Sequence, residues 1–320
     1  MLRKFCAVLA FLLINTASVW SQQSNTGFKI IPLGVKGGDD ESNLSAYMVA
    51  PAGSENYVCL DAGTIKAGIQ KAVSRRTFKG NIEEIQRKKI KGYLISHAHL
   101  DHVAGLIINS PADTSKNIYG ISPVLHVLRD KYFTWDAWAN FTNEGEKPQL
   151  KKYSYVTLEQ GVVYPLADTE MKVQAYELSH GNPYKSTAFL VSSNNSFLLY
   201  LGDTGADEIE KSNKLITLWK AVAPLINSGQ LKAVFLEVSF PNEQPNNQLF
   251  GHLTPKLFHA ELSQLRALTE PEAFKKLTFI VTHTKPPHAN AEKVKKQLIA
   301  DNLHKLKLVF PEQGKQLTIR

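Results

Sequence analysis

Short runs of apolar residues, many of them β-branched or aromatic, recur along the chain between polar segments. The clearest runs lie at residues 93–95, 173–178, 197–201, 233–238 and 277–281. Runs of this length and composition, bounded by turn residues, are typical of buried β-strands. We therefore predict a strand at each of these positions.

Two longer segments carry apolar residues at helical spacing. One covers residues 215–226. The other follows Thr254, a favoured N-cap residue, and has Pro255 at its first helical position. The apolar face of this second predicted helix comprises Leu257, Leu262, Leu265 and Leu268.

Strands and helices therefore interleave along the chain, which predicts one α/β domain over residues 22–320. No repeat of a solenoid period is visible, and no low-complexity linker divides this range. The region from Asp113 to Tyr155 differs, because it is rich in aromatic residues without clear alternation. We expect it to form an insertion or a lid.

The first 21 residues have the features of a secretory signal peptide. A basic start with Arg3 and Lys4 precedes an apolar run from Phe5 to Ile14 and a small-residue stretch that ends at Ser21. This run is shorter than the roughly 20 residues of a membrane span, although an uncleaved anchor is the alternative. We expect a secreted protein, in the periplasm, with no membrane segment in its mature form.

Charge and cysteine content restrict the possible substrates and the sources of stability only slightly. The formal net charge of +8 favours an anionic substrate, although lysine-rich stretches can equally solvate helix faces. Cys6 lies in the predicted signal peptide, so Cys59 is the single cysteine of the mature chain. Without an intramolecular disulfide, stability must come from the core or from metal.

The strongest chemical signal directly follows the predicted strand that ends at Ile95. Four potential metal ligands occur within six positions there: His97, His99, Asp101 and His102. Neutral imidazoles and carboxylates suit borderline divalent metals such as Zn²⁺. Because a tight turn can aim alternate side chains at two neighbouring ions, this cluster predicts two half-sites.

Three later segments each place a further ligand just past a predicted strand. These ligands are His180, Asp203 and His283. Each alone is weak support, because a polar residue after a strand commonly caps or hydrogen-bonds backbone. Their joint order along the chain is what favours a metal centre.

This order resembles the metallo-β-lactamase superfamily, with its His-x-His-x-Asp-His motif, a later His, a Gly-Asp and a final His. The run from His97 to Pro111 is also similar to the signature of class II cyclic nucleotide phosphodiesterases, as are Asn43–Tyr47, Leu60–Thr64 and Gly251–Pro255. The resemblance spans nearly the whole mature chain. It implies a four-layer αββα sandwich, here with the aromatic-rich insertion.

The resemblance also implies the metal ligands and the reaction. Its ligands are His97, His99 and His180 for one ion, Asp101, His102 and His283 for the other, and Asp203 as a bridge. Two such ions, expected to be Zn²⁺, would activate a hydroxide for in-line attack on phosphorus. The implied activity is hydrolysis of 3′,5′-cyclic nucleotides, cAMP and also cGMP, to 5′-nucleotides.

Three residues are candidates for catalysis: Asp101, His252 and Glu237. His252 is the candidate donor of a proton to the leaving 3′-oxygen, and Glu237 is its candidate orienting partner. The resemblance to phosphodiesterases of the superfamily such as tRNase Z implies a similar Glu and His arrangement here. A structural role for His252 and Glu237 is the alternative.

Substrate contacts are predicted in two places. The aromatic residues that could stack on a purine base are Phe133, Trp135, Trp138 and Phe141. The alternative is that these rings pack the small core of the insertion. Lys285 is a candidate contact for the phosphate.

Other functions remain open on the sequence alone. One scaffold can host another hydrolase, acting on a different phosphodiester, a lactone or a β-lactam. A non-catalytic, zinc-stabilised nucleotide-binding protein is a second alternative, which the complete ligand set disfavours. We expect a cyclic nucleotide as partner, no nucleic acid polymer, and either a monomer or a homodimer.

Overall fold

Two β-sheets form the centre of the computed structural model, which describes residues 26–320 apart from the side chains of residues 288 and 289. The predicted signal peptide, residues 1–21, lies outside the described residues. In the part of the chain that is described, no helix is long and apolar enough to cross a membrane.

The strands of the first sheet are β1 (Phe28–Gly34), β2 (Ala46–Pro51), β3 (Tyr57–Leu60), β4 (Ile90–Leu94), β5 (Lys116–Gly120), β6 (Tyr153–Thr157) and β14 (Leu317–Ile319). Their order across the sheet is β14-β1-β2-β3-β4-β5-β6. The pairs from β3 to β6 are parallel, and the pairs from β14 to β3 are antiparallel.

The strands of the second sheet are β7 (Tyr164–Pro165), β8 (Lys172–Ser179), β9 (Lys185–Ser193), β10 (Ser196–Leu201), β11 (Leu231–Glu237), β12 (Thr278–Thr282) and β13 (Lys307–Val309). Their order is β13-β12-β11-β10-β9-β8-β7. Strands β10 to β13 are parallel, and β7, β8 and β9 join them through antiparallel pairs. All five strands predicted from apolar runs are confirmed.

The helices are α1 (Lys66–Ser74), α2 (Ile82–Glu84), α3 (Leu100–Asn109), α4 (Ser122–Val127), α5 (Asp207–Glu210), α6 (Lys214–Asn227), α7 (Pro255–Ala267), α8 (Pro271–Lys276) and α9 (His288–Ala300). The two predicted helices correspond to α6 and α7. Thr254 caps α7 as expected, because its hydroxyl accepts a hydrogen bond from the Leu257 backbone N–H at 3.4 Å.

Alternating side chains divide the apolar interior into two cores. In β10, Leu198 and Tyr200 face a core shared with the first sheet, whereas Leu199 and Leu201 face a core shared with α6, α7 and α9. Side chains of a strand alternate between the two faces of its sheet. Helices therefore cover the outer faces of two stacked sheets, which confirms the four-layer αββα sandwich.

The aromatic region is smaller than the sequence suggested. Within residues 113–155, β5, α4 and β6 belong to the first sheet and its covering layer, so the irregular part is confined to residues 133–152. Strands β5 and β6 are each only five residues long, which is too short to stand out in the sequence among the surrounding aromatic residues.

Candidate metal centre

Strand ends bring the predicted ligands to one edge of the sandwich. His97 follows β4, His180 follows β8, Asp203 follows β10 and His283 follows β12, while Glu237 is the last residue of β11. In open α/β sheets, ligands bind outside the carboxyl ends of the strands. The shared strand direction therefore assembles residues that lie far apart in the sequence.

Close backbone packing sets the position of α3. The Ala62 N–H donates to the His102 carbonyl at 2.8 Å, and the Gly105 N–H donates to the Gly63 carbonyl at 2.9 Å. A Cβ atom at Gly63 would lie 2.0 Å from the Asp101 carbonyl oxygen. Glycine is therefore required at residue 63. The close approach of the backbone there positions the helix turn that carries Asp101 and His102.

The first group of ligands comprises His97, His99 and His180. The His99 Nδ1 lies 3.1 Å from the His97 Nε2 and 3.3 Å from the His180 Nε2. One nitrogen atom of each ring therefore points at a common centre, and the three atoms lie within 4.8 Å of one another.

The second group comprises Asp101, His102, His283 and Asp203, whose ligand atoms also lie within 4.8 Å of one another. The His283 Nε2 lies 3.0 Å from the His102 Nε2 and 3.2 Å from the Asp101 Oδ2. Asp203 places Oδ1 at 3.3 Å from the His102 Nε2 and Oδ2 at 3.2 Å from the His283 Nε2.

Asp203 also reaches the first group. Its Oδ2 lies 3.7 Å from the His97 Nε2 and 3.9 Å from the His180 Nε2. The carboxylate thus stands between the two groups of ligands. A bridging ligand needs this position.

In most of these histidines, the ring nitrogen that points away from the ligand group contacts a neighbouring residue. The Asp61 Oδ2 lies 2.7 Å from the His102 Nδ1, and the Gly251 carbonyl lies 2.9 Å from the His180 Nδ1. The Ser239 hydroxyl lies 3.0 Å from the His283 Nδ1. Such partners fix the ring orientation of metal-bound histidines.

These contacts test whether the site suits a cation. With Nδ1 donating to Asp61, a neutral His102 has a lone pair on Nε2, which faces the His283 Nε2 at 3.0 Å. Two facing lone pairs repel unless a cation lies near both. The donor set of imidazole nitrogens and carboxylate oxygens therefore fits divalent metal ions such as Zn²⁺.

The electrostatics of the first group and of Asp203 agree with that fit. In the second group, although burial opposes the charged form, Asp203, Asp61 and Asp101 raise the pKa of His102, so a metal ion there would displace a proton. Burial, together with the neighbouring His102, holds the pKa of His97 well below its usual value, and burial lowers the pKa of His180 to about 4. Both rings are thus neutral near pH 7, as metal ligation requires. Although burial opposes ionisation, His283 and His102 hold the pKa of Asp203 well below its usual value, so it is a carboxylate.

A second cluster adjoins the ligands. The His252 Nδ1 donates to the Glu237 Oε1 at 2.7 Å, and the His252 Nε2 lies 2.8 Å from the Lys285 Nζ. The structure therefore brings together the predicted catalytic pair and the predicted phosphate contact. Ser239 joins this cluster to the ligands, because its hydroxyl contacts Glu237 at 2.6 Å and His283 at 3.0 Å.

Two positioning residues were not predicted from the sequence. Asp61 lies in the stretch Leu60–Thr64, which carried the family resemblance without indicating a role for this carboxylate. Ser239 lies two residues after Glu237, and the sequence around it indicated no role for its hydroxyl. Both residues are buried, and each contacts a histidine of the second group.

The structure does not bring the predicted stacking aromatics to the histidines of the first group. Phe133 is completely buried and packs edge-on against Tyr153. The Trp138 Nε1 donates to the Ser110 hydroxyl at 3.0 Å, and the Trp135 Nε1 donates to the Pro148 carbonyl at 2.9 Å. The cavity beside His97 and His99 is lined by other residues.

Comparison with known proteins identifies the family. Residues 28–309 match the family model described as cAMP phosphodiesterases class-II. This chain belongs to that family. A protein of Aliivibrio fischeri described as a 3′,5′-cyclic-nucleotide phosphodiesterase is 40% identical, over 96% of this chain and 97% of its own length.

Solved structures agree on the fold of this class II family member. Unliganded yeast PDE1 superposes with a TM-score of 0.81 at 23% identity, covering 92% of this chain and 99% of the yeast chain. The metallo-β-lactamase fold protein YhfI of Bacillus subtilis gives a TM-score of 0.62 at 13% identity, over 92% of this chain and 99% of its own.

Proposed function

We propose that this class II family member hydrolyses 3′,5′-cyclic nucleotides to 5′-nucleotides with the help of two divalent metal ions, Zn²⁺ being the expected metal. The observation that carries the proposal is the Asp203 carboxylate standing between two groups of ligands, with oxygen–nitrogen distances of 3.2 to 3.9 Å. The activity of the Aliivibrio fischeri relative at 40% identity supports the choice of substrate.

The ligands would divide as the geometry groups them. His97, His99 and His180 would hold one ion, Asp101, His102 and His283 would hold the other, and Asp203 would touch both. Two ions in these places would supply a nucleophilic hydroxide at neutral pH and neutralise charge that develops on the phosphoryl oxygens. Asp101 would thereby contribute to catalysis as well as to binding.

The protein's own residues would protonate the leaving group. His252 donates Nδ1–H to Glu237, which fixes the ring and leaves Nε2 facing Lys285. A proton held at Nε2 would pass to the 3′-oxygen as the phosphorus–oxygen bond breaks. In this structure the Lys285 ammonium donates to that nitrogen at 2.8 Å, so Lys285 would first move to a phosphoryl oxygen of the substrate, which frees Nε2 to carry the proton.

Two wider proposals rest on the sequence. We infer that the chain is exported to the periplasm by its first 21 residues, and N-terminal sequencing of the exported protein tests this directly. A homodimer is compatible with the sequence, and light scattering on the purified protein would establish the oligomeric state.

The central test measures hydrolysis of cAMP by the purified protein and by the Asp101→Ala variant. We expect 5′-AMP from the wild-type enzyme and a loss of activity in the variant, because one ligand of the second group is missing. A β-lactam and a lactone serve as control substrates. A wild-type enzyme that is inert to cyclic nucleotides but cleaves a control substrate would contradict the proposed substrate and leave the fold assignment unchanged.

The proton donor is tested with two leaving groups. For cAMP, His252→Ala should lower kcat by about 100- to 10,000-fold, which is the usual contribution of general acid–base catalysis. For bis(p-nitrophenyl) phosphate the loss should be much smaller, since p-nitrophenolate leaves without a proton. Equal losses for both substrates would show that His252 acts in another way.

A further inference from the structure

A single serine hydroxyl lies between two histidines with different proposed roles, the metal ligand His283 and the proton donor His252. The Ser239 Oγ is 3.0 Å from the His283 Nδ1 and 3.2 Å from the His252 Nδ1. The two imidazole rings are nearly parallel, at 20°, and their centroids are 5.3 Å apart. Both rings therefore turn the same nitrogen towards one hydroxyl group.

The direction of this hydroxyl follows from its neighbours. Ser239 is completely buried, so its hydroxyl must find its partners within the protein. Its shortest contact is the Glu237 Oε2 at 2.6 Å, and the His283 carbonyl lies at 3.0 Å. A carboxylate and a carbonyl only accept, and a hydroxyl has one proton to donate. The closer and charged acceptor takes that proton, so Ser239 donates to Glu237.

This direction selects one tautomer of His283. Because the Ser239 proton is on the Glu237 side, the Ser239 Oγ presents a lone pair to the His283 Nδ1, and that nitrogen must carry the hydrogen. The Nε2 of a neutral His283 then has a free lone pair. This atom lies 3.2 Å from both the Asp101 Oδ2 and the Asp203 Oδ2. A cation held among these atoms requires that tautomer.

The opposite tautomer would disturb the proton donor. With its hydrogen on Nε2, His283 would have an acceptor at Nδ1 that competes with Glu237 for the one Ser239 proton. One of these two buried acceptors would then lose its donor, which is unfavourable where water cannot enter. Glu237 also accepts from the His252 Nδ1 at 2.7 Å. A change at His283 therefore reaches the His252 ring.

The backbone of Ser239 holds the two segments that follow and precede these groups. Its N–H donates to the Leu253 carbonyl at 3.1 Å, next to His252, and its carbonyl accepts from the Lys285 N–H at 3.1 Å. An alanine at residue 239 keeps both of these hydrogen bonds and removes only the hydroxyl oxygen. Substitution therefore separates the role of the hydroxyl from the local fold.

We propose that the Ser239 hydroxyl couples cation binding at His283 to the orientation of the proton donor His252, with Glu237 between them. The inference rests on the proposed function and gives Ser239 a part in it beyond holding His283. Coupling between two sites is reciprocal. A cation at the His283 Nε2 therefore favours the hydrogen bonds that orient His252, and these hydrogen bonds favour the cation.

The test compares Ser239→Ala with the matched control Ser193→Ala. Ser193 is also a buried serine, at the far end of β9, and its hydroxyl has no hydrogen-bond partner among the residues that the structure describes. In chelator competition, Ser239→Ala should bind Zn²⁺ about 10- to 100-fold more weakly than wild type, whereas the control should stay within about twofold. Ser239→Thr keeps the hydroxyl and should recover most of the affinity.

Activity at saturating Zn²⁺ tests the second half of the coupling. Ser239→Ala should lower kcat for cAMP about tenfold more than kcat for bis(p-nitrophenyl) phosphate, whose leaving group needs no proton. In a His252→Ala background, the same substitution should lower kcat for cAMP by less than about threefold, because the ring that Ser239 orients is already missing.

The outcomes separate the coupling from the proposed function. If the wild-type enzyme hydrolyses cAMP, three results would each overturn the coupling alone: an unchanged Zn²⁺ affinity of Ser239→Ala, equal losses of kcat for cAMP and the ester, or a full additional loss in the His252→Ala background. If the wild-type enzyme hydrolyses the ester but not cAMP, the proposed function fails, and the coupling to a proton donor fails with it.

Discussion

The buried carboxylate of Asp61 provides a sharp test of how the metal centre is built. Its Oδ2 accepts hydrogen bonds from the Tyr200 hydroxyl at 2.6 Å and the Ser96 hydroxyl at 2.7 Å, and lies 2.7 Å from the His102 Nδ1. Its Oδ1 accepts from the Ser96 backbone N–H at 2.7 Å. The side chain is fully buried, so water cannot replace any of these partners.

Asp61→Asn should disturb the site in either orientation of the amide. If the amide nitrogen faces His102, the imidazole must move its proton to Nε2, the atom that points at the second group of ligands. If the amide nitrogen faces Ser96 instead, two buried N–H donors oppose each other, at a cost of about 1–3 kcal/mol. Loss of such a supporting partner weakens metal binding by about 10- to 100-fold, or about 1.4–2.8 kcal/mol.

Chelator-competition titration measures the metal affinity of this variant, and thermal unfolding of the metal-free protein measures its stability. Asp113→Asn is the matched control. Asp113 is also buried and accepts from two tyrosines, Tyr93 at 2.7 Å and Tyr153 at 2.9 Å, but it precedes β5 and lies at the opposite strand end. We expect this control to lower stability while metal affinity stays within about twofold. An Asp61→Asn protein with wild-type metal affinity would refute the reasoning.

Three further predictions concern the metal, its support and the fold. Chelation should abolish cAMP hydrolysis and lower Tm, and added Zn²⁺ should restore both; an unchanged Tm would argue against metal in the folded centre. Glu210 accepts from the Ser179 hydroxyl at 2.8 Å and the Gly181 N–H at 2.9 Å on either side of His180, so Glu210→Ala should weaken metal binding about tenfold. Glu210→Gln keeps a hydrogen-bond acceptor and should recover most of the metal affinity. Equal metal affinities of the two variants in a chelator titration would exclude this role of Glu210. Thr254→Ala should cost about 1 kcal/mol in urea unfolding because it removes the cap of α7, and a variant as stable as wild type would show that the 3.4 Å contact contributes nothing.

Much of the fold and of the ligand set follows from local sequence. The strand at residues 197–201 was predictable because apolar composition and length are read over a few residues. His97, His99, Asp101 and His102 were predictable as candidate ligands for the same reason, since they are contiguous. The order of the later ligands then carried the family resemblance, and the family is confirmed.

Only the tertiary structure decided how side chains meet across the two sheets. Asp61 and Tyr200 share a hydrogen bond although 139 positions separate them, and no local pattern could pair them. The sequence does not distinguish Phe133 from the other aromatic residues of its segment, yet it is buried against Tyr153. Nothing in the sequence singles out Tyr184, yet it is exposed beside His99. Burial depends on which elements pack against a residue, and that is settled by contacts between distant segments rather than by periodicity along one of them.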